Sequence, residues 1–414
     1  MRVLGVKIQG GYSSEARVFA RLLGHRDSAF DARVLYHSHE GDDDSWRAFE
    51  AEARAPLTKV DVGYREQMPG MAAKAKALMK FRRSFGELVR QARAYDPDVI
   101  YSSQQFWDCA AASHIARRLG RPHVIHLHYV VGPWLRTGFS RNPTALLLAA
   151  RVFRLADPLE SLKTSAQVIA ISDFIRHDAI AQGIPADRIA TVHNPVPSEA
   201  RLGGERGAVR AALDVPSAAR VIGIVGRLDV DKGHLDTLRA FAQLAPANPD
   251  AHLLIVGVGP LEADLRSEAQ ALGVADRVRF TGWRNDVPAL LQAMDVFAHP
   301  SRREPFGLAV AEASAAGLPV IAYAEGGITE IVVDGQTGWL TPPGDVAGLA
   351  DRLHAALARP DQAREMGVKG REYVARRFAP AEAARGLAEV LHRLKGRRVA
   401  KAMGPSTEPV VVAS

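Results

Sequence analysis

"REPFGLAVAEASAAGLPVIAYAEGG", residues 303–327, sets Glu304 and Glu312 eight positions apart in a stretch otherwise rich in Ala, Gly and Val. Pro305 is acceptable in the first turn of a helix, where its missing N–H costs nothing. Ala309, Val310, Ala311, Ala313, Ala315 and Ala316 continue that helix to Gly317, a stop followed by Pro319. Leu318 to Ala322 then reads as a short buried parallel strand. Glu304 is thus expected at or before the helix N-terminus and Glu312 within the helix. Eight helical residues span ~12 Å of axis and ~80° of rotation, which sets both carboxylates on one broad side.

The same alternation extends outward. Residues 220–226, 251–257, 278–282, 296–301 and 318–323 are short apolar runs with helical stretches between them. Toward the N-terminus, 2–8, 32–37, 98–103, 123–128, 166–172 and 189–196 repeat the pattern. Residues 13–23 and 109–120 read as helices, 69–95 as a basic amphipathic helix, and 40–68 as polar and irregular. Such alternation predicts an α/β chain with parallel sheets covered on both faces. Breakers at 197–215 mark the boundary. The expected domains are 1–198 and 199–378, with 379–395 crossing back onto the first and 396–414 a disordered tail. Two doubly wound domains that face each other bind ligands beyond their C-terminal strand ends, in the cleft between them.

Composition excludes several classes. At 414 residues, 47% hydrophobic and 24% charged, the chain is an ordinary globular protein without a membrane-length apolar run. Its N-terminus reads as a first strand rather than a signal peptide, and the single Cys109 excludes an internal disulfide or a Cys-rich metal site, so a cytoplasmic setting is expected. Residues 1–198 hold 27 Lys and Arg against 20 Asp and Glu, whereas the remainder balances. Residues 109–155 carry Arg117, Arg118, Arg121, Arg136, Arg141, Arg151 and Arg154 with no acid. A solvated face, an anionic acceptor and peripheral contact with an anionic membrane surface are the alternatives. Nucleic acid is not expected, because no series of stacking aromatics accompanies the arginines.

Chemistry concentrates after the strands. In "GRLDVDKGH" (226–234), Arg227 and Lys232 stand on a strand-to-helix loop whose glycines let a diphosphate approach. Gly257 and Gly259 in "IVGVGP", and Arg284 in the loop around 283–287, are weaker candidates for contact with a nucleotide. The acidic run "GDDDS" (41–45) reads as solvated charge, and no essential metal is expected.

The run "IVGRLDVDKGH", then "LIVGVGPL", "FTGW" and "DVFAHPSRREPFGLAVAEASAAGLPVIAYAEGG", resembles the nucleotide-sugar-binding domain of family 4 glycosyltransferases, which have the GT-B fold. The resemblance covers 218–378, and the N-terminal half is similar more loosely. It implies that Glu304 holds hydroxyls of the donor sugar and Glu312 those of the ribose. Backbone N–H groups of Phe306, Gly307 and Leu308 would face the sugar and phosphates, and Arg227 and Lys232 would neutralise the departing diphosphate. His128, favoured over His126, would lie near the anomeric carbon. Gly10, Gly11, Asn194, Gly326 and Gly327 would line the cleft; Glu330 is equally an ordinary helix charge.

The implied reaction moves a hexose from a nucleoside-diphosphate sugar to an acceptor hydroxyl with retention, the nucleotide sugar being a substrate and no cofactor being needed. A nucleotide-sugar epimerase of the same fold and a non-catalytic nucleotide-sugar binder are the rival readings. Neither donor base nor acceptor is readable from these motifs.

Overall fold

Val-, Ile- and Leu-rich runs separated by helices can pair only through crossovers, and crossovers make parallel ladders. A computed structural model of the chain describes residues 1–8, 14–27, 29–37, 43–62, 70–132, 158–197 and 205–397. The described residues of Met1–Ala170, Arg176–Val192 and Ala384–Ser414 form one unit, and those of Ile171–Ile175 and His193–Ala383 a second.

The first unit holds a parallel sheet of β1 (Arg2–Lys7), β2 (Asp31–Tyr36), β3 (Leu57–Lys59), β4 (Val99–Ser103), β5 (His123–Leu127), β6 (Gln167–Ala170) and β7 (Ile189–Thr191). Its order is β3-β2-β1-β4-β5-β6-β7. The chain reverses direction across the sheet between β1 and β4, so the loops after these two strands flank the topological switch. One core of the unit gathers Leu4, Val6, Ile100, Leu88 and Ile115.

The second unit holds β8 (Arg220–Val225), β9 (Ala251–Val256), β10 (Val278–Phe280), β11 (Val296–His299), β12 (Val320–Tyr323) and β13 (Gly338–Thr341), ordered β10-β9-β8-β11-β12-β13 and parallel throughout. Its switch lies between β8 and β11. That junction is tied from below by Asp295, which accepts from Val221 N at 2.7 Å and pairs with the buried Arg210 at 2.8 Å. Arg210 also donates to the carbonyls of Ala293, Ser217 and Ala219, which satisfies a guanidinium otherwise costly to bury.

Several sequence expectations are corrected. Residues 43–53 form a helix rather than an irregular segment, because Trp46, Phe49 and Ala53 repeat at helical spacing and are all buried. Asp44 thus stands in the first turn of a helix, whose partial positive charge favours it. The expected strand at 189–196 stops at Thr191, ahead of Pro195. Strand β13 was not anticipated. The helix after Glu304 begins only at Leu308, and Pro305 precedes it. No helix among the described residues is long and apolar enough to cross a membrane.

The alanines of helix Leu308–Ala315 have a packing cause. Helix Pro360–Arg377 lies against it, and a Cβ added at Gly367 would run into the carbonyl of Gly317, with Leu318 C 3.0 Å away. Gly367→Ala therefore pits a helix-propensity gain of about 1 kcal/mol against overpacking of about 1–3 kcal/mol. We expect a net loss of stability, read as a lower midpoint in thermal unfolding; propensity alone gives the opposite sign.

Candidate active site

Two loops meet at the switch of the second sheet, residues 226–233 after β8 and 300–307 after β11. From the first comes Lys232, whose Nζ donates to Glu304 Oε2 at 2.7 Å. From the second come Ser301 Oγ, 3.1 Å from the same oxygen, and from the last residue of β11 His299 Nε2 at 3.3 Å. Glu304 is buried at 8% exposure. Burial alone would raise its carboxyl, but the hydrogen bond from His299 and the charge of Lys232 outweigh that and hold it at about 2. His299 and Ser301 were not singled out in the sequence. Their signal was a His and a Ser flanking Pro300 at a strand end two residues after an apolar Phe297.

Glu304 does not ride on the helix, so the helical ruler between it and Glu312 fails. The intervening backbone bends: Arg303 has φ 62° and Gly307 has φ 103° before the helix starts. Gly326 and Gly327 explain how the bend is held. Gly327 N donates to Glu304 O at 2.9 Å, and a Cβ at Gly327 would sit 2.6 Å from Phe306 Cα. These glycines therefore brace the loop by close backbone approach. The Phe306 side chain is buried edge-on against Phe378, with ring centroids 5.4 Å apart, so only its backbone is available to a ligand. Gly307 and Leu308 stand at the helix start, whose first N–H groups have no partner within the helix. Glu312 is half-buried on that helix.

Other candidates are arranged differently. Arg227 is 71% exposed at its side chain and pairs with Asp229 at 2.7 Å. That aspartate and Asp231 have the Asp-x-Asp spacing after β8; Asp229 pairs with Arg227, and the backbone carbonyl of Asp231 accepts from Ser301 Oγ and Arg302 N. Arg284 pairs with Asp286 at 2.6 Å on the surface, beside an exposed Trp283. Gly257, at φ 140°, lets its loop lie against Gly226, and its N–H donates to Gly282 O at 3.0 Å. Its role in the fold is thereby explained.

Glu330 is not an ordinary surface charge. It accepts from Asp173 N and Phe174 N at 3.0 Å each and from His193 Nε2 at 3.0 Å. Burial would raise its carboxyl, and the bond from His193 with the two backbone N–H groups lowers it instead. Asp173, His193 and Glu330 each bring one potential ligand atom within 4.8 Å of the others. Three N–H donors already occupy the Glu330 oxygens, which suits a cap on helix Asp173–Ala181 better than a cation. Asn194 is buried, and its Oδ1 has no hydrogen-bond partner among the described residues.

The first unit repeats the theme at its own switch. Lys7, the last residue of β1, is buried and pairs with Asp108 at 3.0 Å, while Asp108 also accepts from Ile8 N and Ser103 Oγ. Glu15 lies 4.0 Å from Lys7. His128 follows β5 directly, its N–H held by Gln104 Oε1 at 2.8 Å. Its ring lies 4.4 Å from that of His126, which bonds the Tyr101 hydroxyl. Burial, then the charge of Lys7, drives His128 down to about 3, so it is a neutral imidazole at pH 7. Burial pushes His126 down as well. Gly10, Gly11, Arg136, Arg141, Arg151 and Arg154 lie outside the described residues.

Comparison with known proteins agrees with this architecture. The family described as "Glycosyl transferases group 1" matches residues 205–373, and "Glycosyl transferase 4-like domain" matches 10–195. Over 343 residues the chain is 29% identical to the 2-deoxystreptamine glucosyltransferase of Streptomyces kanamyceticus, which covers 81% of this chain and 86% of that one. It is 30% identical over 312 residues to the D-inositol 3-phosphate glycosyltransferase of Corynebacterium diphtheriae, covering 71% and 70%. Among solved structures, HepE of Anabaena in complex with UDP-glucose has a TM-score of 0.74 at 25% identity, over 95% of this chain and 100% of the other. Matches to both halves, two parallel doubly wound sheets and relatives at this identity make the chain a family 4 glycosyltransferase of the GT-B fold.

Proposed function

We propose that this glycosyltransferase moves a hexose-type sugar from a nucleoside-diphosphate sugar to an acceptor hydroxyl, with retention at the anomeric carbon and without an essential metal. The observation that carries the reading is the ionised Glu304 joined to Lys232 at the β8–β11 switch. An ammonium has three N–H donors, so Lys232 keeps two for a diphosphate while one holds Glu304. The start of helix Leu308–Ala315 adds partial positive charge for the same phosphates. Glu304 accepts from the hexose and Glu312 from the ribose. Arg227 joins the diphosphate by leaving Asp229.

In the transfer step the bond from the anomeric carbon to the diphosphate oxygen breaks, and the acceptor oxygen bonds to that carbon on the same face. The acceptor proton passes to the departing phosphate oxygen. Lys232, Arg227 and the helix N–H groups stabilise the charge that grows there. His128 of the first unit, neutral at pH 7, can hydrogen-bond a hydroxyl without taking up its proton. That HepE, at 25% identity, is described in complex with UDP-glucose supports a uridine donor. The relatives named for 2-deoxystreptamine and inositol 3-phosphate supply the first acceptors to try.

A thermal-shift screen of uridine, guanosine and adenosine diphosphates and their sugars tests the donor reading. We expect one nucleotide class to raise the midpoint, with no change on adding EDTA; a divalent requirement overturns metal independence. Glu304→Gln is expected to lower kcat/KM about 10- to 100-fold, as loss of a charged hydrogen bond does. Glu365→Gln, which breaks only an exposed pair with Lys369, is expected to stay within about twofold.

The pH dependence follows from the depressed carboxyl. The stability that Glu304 contributes is fully present above its ordinary range near 4.5 and is lost as pH falls through about 2. Wild-type donor binding should therefore show no Glu304 step between pH 4 and 8. Lys232→Met leaves the carboxyl buried without its cation, so an acid step should move upward into that window, readable by titration calorimetry.

A further inference from the structure

The Glu304 carboxylate is asymmetric. Oε2 has Lys232 Nζ, Ser301 Oγ and His299 Nε2 within 2.7, 3.1 and 3.3 Å, whereas Oε1 has no hydrogen-bond partner among the described residues. The three donors differ in how firmly they are held. Lys232 is 28% exposed at the end of a flexible stem, and two of its N–H groups are free to turn to phosphate. The Ser301 hydroxyl has one proton to share between Glu304 and the Asp231 carbonyl, 2.9 Å away. His299 has neither freedom. It is 3% exposed, it ends strand β11, and its ring lies near-parallel to that of Phe297, with centroids 6.0 Å apart. Its Nδ1 is buried without a partner among the described residues, where the ring makes its one polar bond through Nε2–H.

We infer that His299 is the positioning residue for Glu304: its fixed Nε2–H anchors Oε2 and leaves Oε1 as the single oxygen offered to a hydroxyl of the donor sugar. The inference rests on the donor reading above and deepens it, because it says which atom does the reading. With Oε2 saturated, Glu304 accepts one strong hydrogen bond from the hexose and does not clamp two hydroxyls through both oxygens. The sugar group that faces Oε1 must carry a proton to donate. A deoxy or O-alkylated sugar at that carbon leaves a buried anion facing no donor.

The test is titration calorimetry of UDP and UDP-glucose on the full chain; the guanosine or adenosine pair takes their place if that class is the one the protein binds. The ratio of the two affinities isolates the hexose contribution. Four variants are compared: Glu304→Gln, His299→Leu, His299→Asn and His299→Gln. Gln extends an N–H to about the position of Nε2, whereas Asn does not reach it. We expect His299→Leu and His299→Asn to shift the ratio against the sugar about tenfold with UDP affinity unchanged. His299→Gln should stay within about threefold of wild type. An unchanged ratio in His299→Leu and His299→Asn, beside a changed ratio in Glu304→Gln, overturns the inference alone. Equal losses for UDP and UDP-glucose reduce His299 to a structural residue and overturn it too. An unchanged ratio in Glu304→Gln removes Glu304 from the sugar and overturns the donor reading beneath it.

Discussion

A carboxylate taken out of water stays ionised only where donors replace the solvent it loses. Glu304 meets that condition through three elements that the chain sets side by side: the turn after β8, the end of β11, and the bend that follows it. The ion pair with Lys232 is therefore more than a contact between two side chains. It requires the β8–β11 pairing, which Asp295 and Arg210 secure at the opposite end of these strands. Anything that loosened that pairing would leave a buried anion without its cation.

The two units solve a common problem in the same way. In each unit the chain at the topological switch brings a lysine and a carboxylate together, Lys7 with Asp108 and Lys232 with Glu304. The degree of closure differs. Lys7 and Asp108 are both buried, and hydrogen bonds from Ile8 and Ser103 complete the aspartate, as befits a pair that fixes strand ends. Lys232 remains partly exposed and Glu304 keeps an oxygen without a partner among the described residues, as befits a pair that meets a ligand. The local dielectric, more than residue type, separates the structural pair from the one proposed to act.

How far the molecule was legible in its sequence depended on the range of the forces involved. Apolar runs between helical stretches carried the parallel sheets, because burial on both faces of a strand leaves a direct mark on composition. Helix Asp43–Ala53 was missed since its buried stripe of Trp46, Phe49 and Ala53 is masked by surrounding charge. The EPFG motif marked Glu304, but the helical spacing drawn from it was wrong. Alanine richness there reflects the nearness of helix Pro360–Arg377 and extends no helix back to Pro305. Asp108 and the capping role of Glu330 were illegible because each acts through a partner distant in sequence, and His299, five residues before Glu304, because only the bend at Arg303 brings the two together. Only the folded chain supplies that partner.

The glycines around the candidate site bear on how this protein can change. Gly326, Gly327 and Gly367 each press main chain against main chain, with no side chain between to absorb an error. Such joints are indifferent to drift in the surrounding surface residues and intolerant of a single added methyl. A substitution is accommodated more readily at Val258, Trp283 and the Arg284–Asp286 pair, which stand in solvent, than at these joints.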